Sequence, residues 1–191
     1  MNLNGVQSVY FIGIGGSSMS SLAEILHRRG FRVAGSDMQE SATTAHLRQT
    51  GIRVYLGHNA ENLKAEKPDA VVKTEAIMPG NPEWLYAQQA GLPVYRRAEL
   101  LGFLLDGYRH TVGVAGTNGK TTTTSMITSV YLASGRDFSS IIGGHMKQID
   151  ASYCIGKTDE VCIFESCEFR DSFLQFRPSV SVILNIDEDH M

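Results

Sequence analysis

The sequence predicts an α/β fold in two parts, and three observations support this. Short runs rich in β-branched residues alternate with segments of helical periodicity, and this alternation indicates right-handed βαβ units around a parallel sheet. A glycine-rich loop joins the first strand to the first helix, and a second such loop follows residue 110. We therefore expect a Rossmann-like domain with a parallel sheet, followed by an incomplete P-loop-type α/β domain.

Five β-rich runs in the first part predict the strands of one sheet. They are residues 8–15, 32–36, 52–57, 69–74 and 93–96. Apolar residues recur at helical spacing after the first run, and Gly30 stands where that helix would end. Asn81 and Pro82 predict the N-cap and the first turn of a later helix, which Gly91 would close.

The pattern is interrupted by "LLDGYRH" at 104–110, which predicts a boundary between domains 1–107 and 108–191. Further strands are expected at 111–117, 160–166 and 179–187. The chain ends immediately after the last of these runs, so we expect the second domain to be truncated.

Composition and charge exclude several functional classes. Seventeen basic and twenty acidic residues give a formal net charge of −3 without a block of like charges, so no nucleic-acid or membrane tail is expected. Three cysteines without C-x-x-C spacing argue against a disulfide framework. The chain has no apolar run of membrane-spanning length, and its start lacks the pattern of a signal peptide. We expect a cytoplasmic protein.

The first glycine-rich loop is "GIGGSSM", residues 13–19, between a strand and a helix. Gly13 would allow a tight turn, and Gly15 would let the backbone approach a phosphate at the helix N-terminus. Ser18 replaces the third glycine of the dinucleotide fingerprint, which weakens the match to NAD proteins. Asp37 ends the second strand, where a carboxylate can accept hydrogen bonds from a ribose. A glycine-rich turn without a ligand is the alternative.

The second loop lies in "VAGTNGKTTTTSM", residues 114–126. The strict pattern G-x-x-x-x-G-K-[ST] would need glycine at 114, where the chain has valine. Even so, backbone N–H groups around the glycines can hold phosphates, Lys120 can neutralise the transferred phosphoryl group, and Thr121 can bind Mg²⁺. The alternative is a threonine-rich helix start after a tight turn.

Acidic and histidine residues follow at the ends of later strands. Glu165 closes one strand, and "NIDEDHM" supplies Asn185, Asp187, Asp189 and His190 at the end of the next. Oxygen ligands suit Mg²⁺, whereas a histidine is a less common ligand for it. Each carboxylate taken alone is typical of a solvated loop, but carboxyl ends of strands beside a phosphate loop favour a functional role.

Several motifs together resemble the Mur ligase family in order and spacing. They are "GIGGSSM", "GSD", "LGH", "NPE", "RRAELLG", "AGTNGKTTTTSM", "IIGG", "SFL" and "NIDEDHM". The similarity runs from about residue 8 to the last residue. The family's loop reads G-T-[HN]-G-K-[TS] without the earlier glycine, so the resemblance implies that Val114 is a strand residue and that the loop begins at Gly116.

The resemblance implies a UDP-binding first domain, a central domain for ATP and Mg²⁺, and a C-terminal domain that this chain lacks. The residues expected at the UDP-sugar are Gly15, Gly16, Ser17, Ser18, Met19, Asp37 and His58. Those expected at ATP are Gly116, Thr117, Asn118, Gly119, Lys120, Thr121 and Thr122. Thr121, Glu165 and His190 are expected to serve Mg²⁺, and Lys120, Glu165 and His190 to act in catalysis.

The implied reaction is an ADP-forming amide ligation in peptidoglycan precursor synthesis. ATP would phosphorylate the lactyl carboxylate of UDP-N-acetylmuramate, and the amine of an amino acid, L-alanine, would attack the acyl phosphate. Lys120 and Mg²⁺ would stabilise the charge on the transferred phosphoryl group. We expect this chain alone to bind UDP-sugar weakly or moderately, to bind ATP poorly and not to turn over.

The chain departs from the family pattern at several positions. Cys167 and Arg170 replace aspartates before "SFL", Asn118 replaces the usual histidine of the loop, and Thr74-Glu75 replaces a Ser-Ser pair. These changes leave open the acceptor and the contacts to the muramoyl group. A muropeptide-recycling ligase that attaches a tripeptide, a nucleotide-sugar-binding module without catalysis, and an NAD-dependent dehydrogenase are the alternatives.

Overall fold

The structure is a computed structural model that describes residues 5–166 and 169–187, with the backbone alone described over 169–171. One compact unit ends at Leu100 and a second begins at Leu101. The domain limits 1–107 and 108–191 stay a prediction. In the described part of the chain, no helix has both the length and the apolar character that crossing a bilayer requires.

The first unit alternates strand and helix along the chain. Its strands are β1 (Ser8–Ile12), β2 (Arg32–Asp37), β3 (Arg53–Leu56), β4 (Ala70–Lys73) and β5 (Val94–Arg96). Its helices are α1 (Ser17–Arg28), α2 (Ala42–Gln49), α3 (Ala60–Glu66) and α4 (Pro82–Gln89), and α5 (Arg97–Leu105) follows β5 across the division between the units. All pairings are parallel in the order β3-β2-β1-β4-β5, which confirms the predicted parallel sheet.

Local sequence signals explain these elements. Every residue of β1 is buried, as a central parallel strand requires. The Asn81 side chain accepts hydrogen bonds from the N–H groups of Glu83 and Trp84, so the predicted N-cap of α4 is confirmed. The first predicted strand was too long, because β1 ends at Ile12 and Gly13 turns the chain with φ +83°.

The second unit contains a mixed sheet. Its strands are β6 (His110–Ala115), β7 (Ser139–Met146), β8 (Ala151–Cys154), β9 (Val161–Glu165) and β10 (Val180–Ile183). Helix α6 (Lys120–Ser134) follows β6, and a 3₁₀ helix covers Phe169–Gln175. The order is β10-β6-β9-β7-β8, with β8 antiparallel to β7 and the other pairs parallel. Strands β7 and β8 were not predicted from the sequence.

The parallel part of this sheet determines where polar groups meet. Strands β10, β6 and β9 are neighbours, and Ala115, Glu165 and Ile183 lie at or next to their carboxyl ends. Because parallel strands bring their carboxyl ends to one edge, the loop after β6, the end of β9 and the segment after β10 converge there. Val114 is fully buried inside β6, so its assignment to the strand is confirmed.

Candidate nucleotide-binding sites

The first loop connects β1 to α1 through a turn held by β2. The N–H groups of Gly13 and Ile14 both donate to the carbonyl oxygen of Ser36, at 2.8 and 2.9 Å. Gly16 is the N-cap of α1 and offers no side-chain hydrogen bond to the first turn. A helix that begins without a side-chain cap presents backbone N–H groups and the positive end of its dipole, which suits an anionic ligand.

Asp37 lies directly against this loop. Its Oδ2 accepts a hydrogen bond from the Gly15 N–H at 2.8 Å, and its Oδ1 accepts one from the Gln39 N–H at 3.2 Å. A Cβ atom at Gly15 would stand 2.8 Å from that Oδ2 and 2.9 Å from Cγ2 of Thr44. The close contacts with the Asp37 carboxylate and with Thr44 of α2 therefore require glycine at position 15, whether or not a phosphate also approaches the backbone there.

A pocket of about 470 Å³ opens beside the loop. Its lining includes Gly13, Gly15, Gly16, Asp37 and His58, so four of the residues predicted for the UDP-sugar share one cavity. Ser17 and Ser18 begin α1 next to it. The Met19 side chain is buried in α1, and its N–H donates to the Gly16 carbonyl, so Met19 supports the loop from the core side.

Behind the pocket lies a buried carboxylate, Glu83, which was not predicted as a site residue. Its side chain has no solvent exposure. Oε1 accepts hydrogen bonds from the Tyr10 hydroxyl at 2.8 Å and the Asn62 amide at 2.8 Å, and Oε2 lies 3.1 Å from His58 Nδ1. The Ser36 hydroxyl also donates to Oε2. Glu83 therefore anchors His58 to the core of the first unit.

Electrostatics of this cluster follow from its hydrogen bonds. Burial alone would raise the pKa of Glu83, but the hydrogen bonds from His58, Ser36, Asn62 and Tyr10 outweigh it, and the pKa lies below the ordinary value. Burial, followed by the charge of Glu83, raises the pKa of Tyr10. Glu83 is thus ionised at neutral pH, and Tyr10 remains a hydroxyl donor. Glu83 ends the family motif "NPE", but an acid in the first turn of a helix usually reflects only the helix dipole, so it was not predicted as a site residue.

The second loop runs from β6 into α6. Gly116 and Gly119 have φ values of +138° and +87°, which only glycine adopts without strain, and Gly119 is the N-cap of α6. Lys120 begins the helix, and its ammonium donates to the carbonyl oxygens of Gly116 at 2.5 Å and Thr117 at 3.2 Å. The lysine side chain therefore curls back over the loop, where it can meet a phosphate.

The segment after β10 clamps the loop. The Asn118 N–H donates to Asn185 Oδ1 at 2.9 Å, and Asn185 Nδ2 donates to the Asn118 carbonyl at 3.0 Å. The Thr117 hydroxyl donates to the Asp187 carbonyl at 3.2 Å and accepts from the Asp187 N–H at 3.1 Å. Asn185 and Thr117 are thus occupied in shaping the loop. Asp189 and His190 lie outside the described residues.

Two predicted Mg²⁺ ligands lie against one strand. Glu165 Oε1 accepts a hydrogen bond from the Gly143 N–H at 2.7 Å, and a Cβ atom at Gly143 would collide with that carboxylate. A Cβ atom at Gly144 would stand 3.1 Å from Thr121 Cγ2. Adjacent glycines of β7 therefore make room for Glu165 and for Thr121. A carboxylate and a hydroxyl fit Mg²⁺, although no group of three His, Cys, Asp or Glu within 5–166 and 169–187 forms a metal cluster by itself.

Comparison with known proteins identifies the family. Residues 8–109 match the Mur ligase family, catalytic domain, and residues 114–191 match the Mur ligase middle domain. The UDP-N-acetylmuramate–L-alanine ligase of Caldicellulosiruptor saccharolyticus is 48% identical over 95% of this chain, and the chain spans 39% of that protein's length.

Two solved structures have the same fold. A UDP-N-acetylmuramate-alanine ligase from Thermotoga maritima superposes with a TM-score of 0.82 at 32% identity. The matched region covers 92% of this chain and 40% of the Thermotoga chain. The UDP-N-acetylmuramate:L-alanyl-gamma-D-glutamyl-meso-diaminopimelate ligase of Neisseria meningitides gives a TM-score of 0.86 at 29% identity, covering 97% of this chain and 62% of its own. The chain belongs to the Mur ligase family.

Proposed function

We propose that this chain carries the UDP-sugar site and part of the ATP site of a cytoplasmic, ADP-forming ligase that joins L-alanine to UDP-N-acetylmuramate in peptidoglycan precursor synthesis. The observation that carries the proposal is the pair of strand–loop–helix junctions in one chain, the second with Lys120 over its loop. The name and the 48% identity of the Caldicellulosiruptor relative support the choice of substrates.

The first site would hold the nucleotide sugar. The N-terminus of α1, from Gly16 to Ser18, would face the diphosphate through backbone N–H groups. Asp37 and His58 line the same pocket and would hydrogen-bond to the uridine. A carboxylate suits hydroxyl donors and repels phosphate, so Asp37 also favours one orientation of the nucleotide.

The second site would hold ATP for activation of the lactyl carboxylate. Backbone groups of residues 116–122 would enclose the phosphates, and Lys120 would turn from its carbonyl partners toward the transferred phosphoryl group. Thr121 and Glu165, together with the predicted His190, would hold Mg²⁺, which neutralises phosphate charge when bound. Activation makes the carboxylate oxygen a good leaving group, and the alanine amine then displaces phosphate.

The activity of the whole ligase stands as a proposal, because the chain spans 39% of the length of the Caldicellulosiruptor relative. We expect the 191-residue chain to bind UDP-N-acetylmuramate weakly or moderately in isothermal titration, to bind ATP poorly and to release no ADP. Steady ADP formation that depends on UDP-N-acetylmuramate and alanine would contradict the expected lack of turnover. Binding of NADH without binding of UDP-N-acetylmuramate would overturn the proposed function in favour of a dehydrogenase.

A tripeptide acceptor is the second candidate, because the Neisseria ligase has the higher TM-score, 0.86. Both kinds of ligase would use the same nucleotide sugar, so the first site does not separate them. An acceptor assay on the full-length protein decides between them: incorporation of alanine supports the first proposal, and incorporation of L-alanyl-γ-D-glutamyl-meso-diaminopimelate alone supports the second.

A further inference from the structure

We propose that Glu83 is a positioning residue of the first site. It keeps the proton of His58 on Nδ1, so that Nε2 is the ring nitrogen that meets the nucleoside. This proposal rests on the proposed UDP-sugar site. His58 lines the pocket, whereas the exposed fraction of Glu83 is 0%. Glu83 therefore acts on a ligand only through His58.

The hydrogen-bond pattern determines the position of the proton. An ionised carboxylate only accepts hydrogen bonds, so Nδ1 of His58 must be the donor in its 3.1 Å contact with Glu83 Oε2. Ser36 leads to the same conclusion, because its hydroxyl donates its single proton to Oε2 and can only accept from Nδ1, 2.8 Å away. Both neighbours of Nδ1 thus require an N–H there.

The consequence for recognition follows from the chemistry of imidazole. When Nδ1 carries the proton of a neutral ring, Nε2 has a lone pair and accepts a hydrogen bond. The group that it would recognise is a hydroxyl or N–H of the nucleoside. The side chain of His58 is 10% exposed, so the ring has little freedom to present the other nitrogen.

Replacing Glu83 by glutamine changes the proton pattern without removing volume. Oε1 faces two groups that can only donate, the Asn59 N–H at 3.2 Å and the Asn62 amide at 2.8 Å. The amide oxygen of Glu83→Gln must therefore stay on that side, and its NH₂ must face Ser36 and His58. Nδ1 then has to accept, and the proton moves to Nε2.

Long-range ¹H–¹⁵N NMR of the free chain measures this directly, because the ¹⁵N shifts of imidazole distinguish the two tautomers. We expect Nδ1–H in the wild type and Nε2–H in Glu83→Gln, with His58→Asn used to assign the signals. The matched control is Glu61→Gln, an exposed acid on α3 that pairs with Lys64, and it should keep Nδ1–H. An Nε2–H tautomer in the wild type overturns the proposal even if the Glu83 variant does not fold.

Titration with UDP tests the link to the ligand. We expect Glu83→Gln to bind UDP about tenfold more weakly than the wild type, since an acceptor at Nε2 becomes a donor. An unchanged tautomer or an unchanged affinity in Glu83→Gln contradicts the positioning role. Failure of the wild type to bind UDP would instead remove the proposed function, and the tautomer of the free chain would still decide the position of the proton.

Discussion

The two glycine loops share a backbone plan but are closed by side chains of opposite charge. In the first, the Asp37 carboxylate accepts from the Gly15 N–H at 2.8 Å. In the second, the Lys120 ammonium donates to the carbonyl oxygens of Gly116 and Thr117. A fixed carboxylate suits the hydroxyl groups of a nucleoside, whereas a lysine beside the loop suits a phosphoryl group that changes charge during transfer. We therefore expect the side chain at each loop, more than its glycines, to distinguish the two proposed ligands.

The loops also differ in what supports them. The first is bonded to a neighbouring strand of its sheet, through the carbonyl oxygen of Ser36. The second depends on the segment that follows the edge strand β10, through Asn185 and Asp187. We therefore expect the second loop to be the more sensitive of the two to changes outside its own sequence.

The largest effect is expected at the first loop for Gly15→Ala. The new Cβ would meet Asp37 on one side and Thr44 on the other, so UDP affinity should fall more than tenfold and the free energy of unfolding by about 1–3 kcal/mol. Isothermal titration and chemical denaturation measure both. Gly80→Ala is the matched control, since a Cβ atom there would meet nothing within 4 Å. Equal losses in the two variants would contradict a specific role for the contact with Asp37.

The second site should respond to Gly143→Ala through its predicted metal ligand, Glu165. The added methyl group displaces Glu165, whose carboxylate is a flexible side-chain end, so we expect about tenfold weaker Mn²⁺ binding in the presence of ATP and little change in stability. Electron paramagnetic resonance of Mn²⁺ measures this. In a Glu165→Ala background the glycine substitution should have no further effect. Additive losses would show that Gly143 acts independently of Glu165.

A smaller effect is expected for Asn185→Ala. This variant loses the two hydrogen bonds to the backbone of Asn118, which at a partly exposed site contribute about 1 kcal/mol to stability. Amide hydrogen exchange at Asn118 should accelerate while exchange in β1 stays unchanged. Ile186→Ala is the control, because that side chain is 86% exposed. Unchanged exchange at Asn118 would contradict the proposed clamp.

The sequence predicted the regular parts of both units and the glycine loops, because strand runs, caps and G-K-T motifs are local patterns. The four-residue strand β8 and the glycine-containing β7 lack a strong β pattern, which explains why they were not predicted. The motif "NPE" contains Glu83, but its role at the site could not be predicted because its partners Tyr10, Ser36 and Asn62 are distant in sequence. Only the fold brings such groups together.

The smallest effect is an acid-dependent difference between the units. The pKa of Glu83 is lowered, so its contribution to stability is present above the ordinary carboxylate pKa and is lost as pH falls through the folded value. We expect the fluorescence of Trp84, the single tryptophan and the next residue along α4, to report loss of the first unit as the pH falls below the ordinary carboxylate pKa. Glu83→Gln should weaken this pH dependence. The same loss of stability in acid in the variant and the wild type would contradict a contribution from Glu83.

The most direct test of the assignment of two ligands to two loops is a ¹H–¹⁵N NMR titration of the chain. UDP-N-acetylmuramate should shift the amide signals of residues 13–19 and His58, whereas ATP with Mg²⁺ at high concentration should shift those of residues 116–122. Shifts at the second loop on addition of UDP-N-acetylmuramate would contradict this assignment of ligands. Absence of shifts at the expected loop with each ligand would contradict it as well.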